Sequence, residues 1–134
     1  MTKRDLHSKI SLAREYLRIA EGFGKYSRSK LLREMELKLA LERALYLAVQ
    51  SAIDLAESYI SIKGYRRPSS MHEVFHILHE RKVINATLAE HMLQMVGFRN
   101  ILAHGYSKLD YEIVLDVLKK RLNDIKRLIA CLEK

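Results

Sequence analysis

Four side chains that can act on a phosphate group lie within eight residues at the end of an apolar segment. Arg99 is a cation that can hold a phosphate, and His104 can move a proton near neutral pH. Asn100 adds an amide directly after the arginine, and Tyr106 adds a hydroxyl. Gly105 is expected to end the helix that carries them. The combination predicts chemistry on a phosphate.

The spacing of these residues limits how they can meet. Arg99 and His104 are five positions apart, which separates them by about 140° around an ideal helix. They converge only if the helix frays near Ala103 or if the cleft is shared by two chains. Asn100 and His104 are four apart and share a face, so the amide can orient the imidazole. The structural alternative is that Arg99 pairs with an acidic neighbour and His104 caps the helix.

Apolar residues recur at spacings of three and four through most of the chain, which is typical of amphipathic helices. With only one proline and five glycines, the chain has few residues that favour turns, and in no segment do apolar and polar residues alternate as in a β-strand. The pattern predicts an all-α, up-and-down bundle of four long helices plus a short helical insert. The long helices are expected near residues 3–21, 29–63, 86–104 and 110–132, and the insert near 71–82.

The second predicted helix is apolar on more than one face between Leu37 and Ala56. A helix with two apolar faces in so small a protein needs two partners. One partner is the rest of the bundle, and we expect the other to be a second copy of the chain. This pattern predicts a homodimer.

The same helix carries a polar stripe with one residue every four positions, so that the side chains line up. The stripe consists of Glu42, Tyr46, Gln50 and Asp54. It is either a solvated strip or a polar wall of the cleft beside Arg99 and His104.

Length and composition bound the class of protein. With 134 residues, 49% apolar and 30% charged, the chain is expected to form one domain over residues 1–134. The single cysteine excludes an intramolecular disulfide. The N-terminus begins an amphipathic helix, and no uncharged run has membrane-spanning length, so we expect a cytoplasmic protein without membrane contact. The net charge of +8 favours a polyanionic partner, above all nucleic acid.

Residues 72–76 read His-Glu-Val-Phe-His, a pattern in which two histidines bind zinc and the glutamate activates water. We reject a zinc enzyme because catalytic zinc normally needs a third protein ligand. The metzincin continuation is missing, since its glycine position holds His79 and its last histidine position holds Lys82. The apolar residues of this short helix must face the core, so we expect the histidines at the surface and no metal site.

The string Arg99-Asn100-xxx-His104-x-Tyr106 resembles the motif of the HEPN superfamily, and more narrowly that of HepT toxins. HEPN proteins share an arginine and a histidine separated by four to six variable residues, with a polar residue directly after the arginine; here the gap is four and the polar residue is Asn100. HepT proteins add the tyrosine two positions after the histidine. The resemblance extends to Pro68-Ser69-Ser70, to Glu73-Val74-Phe75 and to the Gly97-Phe98 approach to the motif, and it covers the whole chain.

The resemblance implies the toxin component of a toxin–antitoxin system, a metal-independent endoribonuclease without cofactor. RNA supplies its own nucleophile, the 2′-hydroxyl, so that no metal-activated water is needed. Arg99 would hold the scissile phosphate, His104 would transfer the proton, and Asn100 would position the phosphate or the imidazole. Two motifs would meet across a homodimer in one composite cleft, and the products would be a 2′,3′-cyclic phosphate and a 5′-hydroxyl.

The resemblance also implies a partner, the cognate minimal nucleotidyltransferase antitoxin that neutralises the toxin. Two roles are open for Tyr106: it contacts the substrate, or it is the residue that the antitoxin adenylylates. The alternative function is a non-catalytic HEPN module that binds a nucleotide or the nucleotidyltransferase. The presence of both Arg99 and His104 favours the nuclease, because a binding module does not need an acid/base histidine.

Overall fold

The computed structural model describes residues 2–134, apart from the side chain of Tyr106, and all its regular elements are helical. The helices are α1 (Lys3–Gly22), α2 (Arg28–Arg33), α3 (Met35–Lys63), α4 (Met71–Glu80), α5 (Ala86–His104), α6 (Tyr111–Asp116) and α7 (Leu122–Leu132). A π-helical turn, Val117–Arg121, joins α6 to α7. The predicted all-α bundle with a short insert, α4, is confirmed.

Side-chain caps begin most of the helices, as the sequence leads one to expect. The Ser70 hydroxyl accepts from the backbone N–H of Glu73 at the start of α4, and the Asp110 carboxylate accepts from that of Glu112 at the start of α6. At the start of α5 the Asn85 side chain accepts from the Leu88 N–H. These hydrogen bonds satisfy N–H groups that the first turn of a helix leaves without a partner.

The prediction of one continuous helix over 29–63 is wrong in one respect, because the helix is interrupted at Glu34. This residue is extended, with φ −92° and ψ 109°, and separates α2 from α3. Leu31 on α2 is fully buried, so the change of direction places an apolar side chain in the core. Neither glycine nor proline lies near the break, which explains why the sequence pattern did not show it.

Helix α3 is the centre of the molecule and contacts α1, α2, α4, α5 and α7. Its side chains Leu41, Leu45, Ile53 and Leu55 are all completely buried. Most of its apolar side chains are therefore covered by neighbours from the same chain, whereas Met35 and Leu39 stay exposed. The two-faced pattern does not require a second copy, and the homodimer stays a prediction.

No helix among residues 2–134 is both long enough and apolar enough to cross a membrane. The large apolar side chains that remain exposed in the described part of the chain are Leu12, Ile19, Met35, Leu39 and Ile113. Leu39 lies on α3 at the edge of the cavity described below.

Phe75 and His76 on α4 provide a matched test of this core. Phe75 is completely buried and His76 is exposed. We expect Phe75→Ala to lower the free energy of unfolding by about 3–5 kcal/mol, because it removes a buried aromatic ring and leaves a cavity. His76→Ala should change it by less than about 0.5 kcal/mol. Denaturant unfolding measures both, and equal stabilities of the two variants would contradict the packing.

Candidate active site

Arg99 reaches from α5 to α3 and is held there by hydrogen bonds. Its Nε donates to the Gln50 Oε1 at 2.6 Å, and its Nη2 donates to the Tyr46 Oη at 3.2 Å. Its Nη1 donates to the Oδ1 of the adjacent Asn100 at 3.0 Å. The guanidinium carbon also lies 5.3 Å from the centre of the Tyr46 ring, within the range of a cation–π contact. The arginine is therefore fixed by side chains from two helices.

The charge of Arg99 is not neutralised by these contacts. All three acceptors are neutral oxygens, and among the described residues no carboxylate forms an ion pair with Arg99. The structural alternative, in which an acidic neighbour pairs with this arginine, is therefore wrong for this part of the chain. A half-buried cation without a counter-ion is suited to an anionic ligand such as a phosphate.

Arg99 and His104 line one cavity of about 300 Å³ between α3 and the end of α5. Helix α5 continues through His104, and the Gly105 N–H closes it by donating to the Ile101 carbonyl oxygen at 2.9 Å. Both residues therefore line this cavity in a single chain while α5 stays helical through His104. The other lining residues come from both helices: Leu39, Glu42, Arg43, Tyr46, Leu102 and Ala103.

His104 is exposed and lies in the last turn of α5. The cap of this helix is the backbone N–H of Gly105, so the alternative in which the imidazole caps the helix is not what the structure shows. The hydrogen bond that Asn100 accepts comes from Arg99. The backbone of Tyr106 begins a short 3₁₀ turn, Tyr106–Lys108, while its side chain lies outside the described part.

The predicted polar stripe on α3 lies along two cavities. Tyr46 and Gln50 contact Arg99, and Glu42 lines the cavity of Arg99 and His104. Asp54 accepts from the Gln50 Nε2 at 2.9 Å and faces a second, larger cavity of about 800 Å³. Glu57 also lines that larger cavity.

Three histidines of the zinc-like segment, His72, His76 and His79, are exposed on α4. The apolar residues of this helix, Val74, Phe75, Ile77 and Leu78, form its buried face. Within residues 2–134, no three side chains of the metal-binding types are placed to share one ion.

Sequence reasoning missed two polar features. Arg43 lines the cavity of Arg99 and His104, and its position beside Glu42 was the available signal. The second is a pair between α5 and α7, where the His91 Nδ1 lies 3.1 Å from the Oδ1 of the buried Asp124. Neither residue belongs to a polar stripe, so the periodicity gave no signal for this pair.

Solved structures identify the fold. A tri-AMPylated HEPN toxin of Shewanella oneidensis, in complex with its MNT antitoxin, matches with a TM-score of 0.88 and 23% identity, over 99% of this chain and 98% of that one. The cytosolic protein YutE of Bacillus subtilis, of unknown function, matches with a TM-score of 0.82 and 16% identity, over 98% of this chain and 87% of that one. The chain therefore has the HEPN fold.

Comparison of the sequence with known families assigns the chain to a narrower group than the fold does. The family model described as Ribonuclease HepT-like matches residues 13–132, and the chain belongs to this family. The mRNA nuclease HepT of Shewanella oneidensis is 30% identical over 80 residues, which is 60% of this chain and 60% of that protein. The tRNA nuclease HepT of Aphanizomenon flos-aquae is 28% identical over 105 residues, 78% of this chain and 71% of that protein.

Burial raises the pKa of Glu42 above its ordinary value of 4.5, while the nearby charge of Lys38 opposes this shift. A carboxyl whose pKa is raised by folding contributes stability below its ordinary pKa, and this contribution is lost as the pH rises through the raised value. We therefore expect Glu42→Gln to gain stability relative to the native protein as the pH rises from about 4 to neutrality.

Thermal unfolding of the native protein and of Glu42→Gln over this pH range measures the effect. Glu36→Gln, which removes an exposed carboxylate from the first turn of the same helix, is the matched control. A stability difference between native protein and Glu42→Gln that does not change with pH would contradict the burial of this carboxyl.

Proposed function

We propose that this chain is the toxin of a toxin–antitoxin pair and cleaves RNA without a metal ion. The observation that carries the proposal is the position of Arg99, held as an un-neutralised cation in one cavity with His104. The nuclease names of two relatives and the net charge of +8 support an RNA substrate. The proposed localisation is cytoplasmic, with the whole chain as one domain.

Each residue of the motif has a role in the proposed reaction. His104 removes the proton from the 2′-hydroxyl or delivers one to the departing 5′-oxygen, the acid–base role that an imidazole most often has in enzymes. Arg99 binds the scissile phosphate and stabilises the charge that develops on its oxygens. Asn100 holds the guanidinium through its amide oxygen. The 2′-oxygen forms the new bond to phosphorus as the 5′-oxygen leaves, which gives a 2′,3′-cyclic phosphate.

A homodimer with a composite cleft is part of the proposal. One His104 can serve as base or as acid, and transfer of both protons in one cleavage event needs two proton carriers. A second copy that faces the cavity would bring the second imidazole. The exposure of His104 and of Leu39 at the cavity leaves room for such a neighbour.

The second candidate function is a non-catalytic module that binds a nucleotide or the antitoxin. The observation that favours it is the exposure of His104 at the helix end, since a phosphate can be bound by Arg99 alone. The two functions differ in one consequence, because only a nuclease loses an RNA-cleaving activity when the imidazole is removed.

The test is incubation of the purified protein with RNA, once in EDTA and once with Mg²⁺ and no EDTA, after the absence of adenylyl groups is verified by mass. We expect cleavage by the native protein and by the surface control His76→Ala. Arg99→Ala and His104→Ala should each lose activity by about a hundredfold or more, because they remove transition-state stabilisation or proton transfer. Cleavage that EDTA abolishes would contradict the metal-free reaction, and no cleavage at all would favour the binding module.

We also propose that the cognate minimal nucleotidyltransferase neutralises the chain and adenylylates Tyr106. The similarity to a tri-AMPylated toxin in complex with its antitoxin supports this. The tyrosine oxygen would attack the α-phosphorus of ATP held by the nucleotidyltransferase, lose its proton and displace pyrophosphate, which leaves AMP joined to the ring oxygen as a phosphodiester. This bulky anion two residues from His104 would exclude RNA by size and by like charge.

Co-expression of the chain with this nucleotidyltransferase tests the modification. Mass spectrometry of the intact protein and of its peptides should find adenylyl groups on Tyr106, and none on the Tyr106→Phe protein. Tyr26→Phe is the control: it changes a half-buried tyrosine between α1 and α2, distant in sequence from Tyr106, and this variant should be modified like the native protein. Adenylyl groups that persist in Tyr106→Phe would contradict this site.

A further inference from the structure

A chain of hydrogen bonds connects Arg99 to a carboxylate that does not touch it. The Arg99 Nε donates to the Oε1 of Gln50, and the Nε2 of Gln50 donates to the Oδ1 of Asp54, at 2.6 and 2.9 Å. Gln50 and Asp54 are four residues apart on α3, so that they lie one above the other. All three side chains are half-buried.

The chemistry of Asp54 determines the direction of this chain of hydrogen bonds. An ionised carboxylate only accepts hydrogen bonds, whereas the amide of Gln50 has one accepting and one donating end. The donating end of Gln50 must therefore face Asp54, which turns its oxygen towards Arg99. The reversed amide would place its NH₂ group against the Arg99 N–H and its oxygen against the carboxylate, and both contacts are repulsive.

The amide of Gln50 also separates the negative charge from the cation. A carboxylate in direct contact with Arg99 would hold it equally well, but it would compete with a phosphate for the same positive charge. With a neutral amide between them, the guanidinium is fixed at its Nε and stays attractive to an anion. An arginine has five N–H donors, and three of these are used here, so one remains on each terminal nitrogen.

We infer that Asp54 is a positioning residue that acts through Gln50 to hold Arg99 in place for a phosphate while leaving its charge free. The inference rests on the proposed function, because the need for an oriented cation comes from RNA cleavage. It gives the polar stripe on α3 a role beyond that of a cleft wall.

Asp54→Ala tests the inference with two independent measurements. The first is the solvent exchange of the Arg99 Nε–H in ¹⁵N-resolved NMR, with the signal assigned by its loss in Arg99→Lys. The second is the single-turnover rate of RNA cleavage at saturating protein. The matched control is Glu57→Gln, which alters an exposed carboxyl of the same larger cavity, one turn further along α3.

In Asp54→Ala we expect faster exchange of the Arg99 Nε–H and a cleavage rate lower by about tenfold to a hundredfold, because a misplaced catalytic group loses its alignment. Asp54→Asn keeps an acceptor oxygen without the charge and should lie between native protein and Asp54→Ala. Glu57→Gln should match the native protein in both measurements. The inference would be overturned if either the exchange rate of the Arg99 Nε–H or the cleavage rate were the same in Asp54→Ala as in the native protein. If the native protein itself cleaved no RNA, that result would instead contradict the proposed function.

Gln50→Glu tests the separation of charges. This variant places a carboxylate directly on Arg99, so the arginine stays held, but the same carboxylate lies against Asp54 and repels it. Gln50→Glu is therefore made together with Asp54→Asn, and the thermal midpoint of the double variant should not fall below that of Asp54→Asn alone. Its cleavage rate should nevertheless be lower than that of Asp54→Asn by about tenfold or more, because the new carboxylate competes with the phosphate for the guanidinium. Equal cleavage rates of the double variant and Asp54→Asn would overturn this part of the inference.

Discussion

The site depends on a cation that is held in place without losing its charge. Arg99 crosses from α5 to α3, and the hydrogen bonds described for it go to neutral oxygens of Tyr46, Gln50 and Asn100. Such contacts restrict the guanidinium but do not compete with a phosphate as a carboxylate would. A charge oriented before the substrate arrives stabilises a transition state without further reorganisation.

The bundle supplies the rigidity that this arrangement requires. Phe98 and Leu102 on α5 are buried on either side of Arg99, and α3 is packed by helices along most of its length. The apolar spacing in the sequence was enough to predict these helices and their buried faces, because core burial follows the helical period. The break at Glu34 and the π turn at Val117–Arg121 could not be predicted, since neither segment contains glycine or proline to mark an irregularity.

The residues of the candidate site were predictable, but their geometry was not. The motif and the polar stripe were visible as spacings, whereas the crossing of α5 over α3 at Tyr46 and Gln50 is a tertiary contact. The angle between Arg99 and His104 around an ideal helix describes only where their Cα–Cβ bonds point. A long arginine side chain can bend towards the neighbouring helix, so the two residues reach one cavity without fraying.

We propose that this chain cleaves RNA through attack of the RNA's own 2′-hydroxyl, with Arg99 binding the phosphate and His104 transferring the proton. The most direct measurement compares, in EDTA, an RNA oligonucleotide with the same oligonucleotide carrying one 2′-deoxy sugar at the mapped cleavage position. We expect a 2′,3′-cyclic phosphate and a 5′-hydroxyl from the first and no cleavage of the second at that position. Cleavage of both oligonucleotides, or products with a 5′-phosphate, would rule out attack by the 2′-hydroxyl.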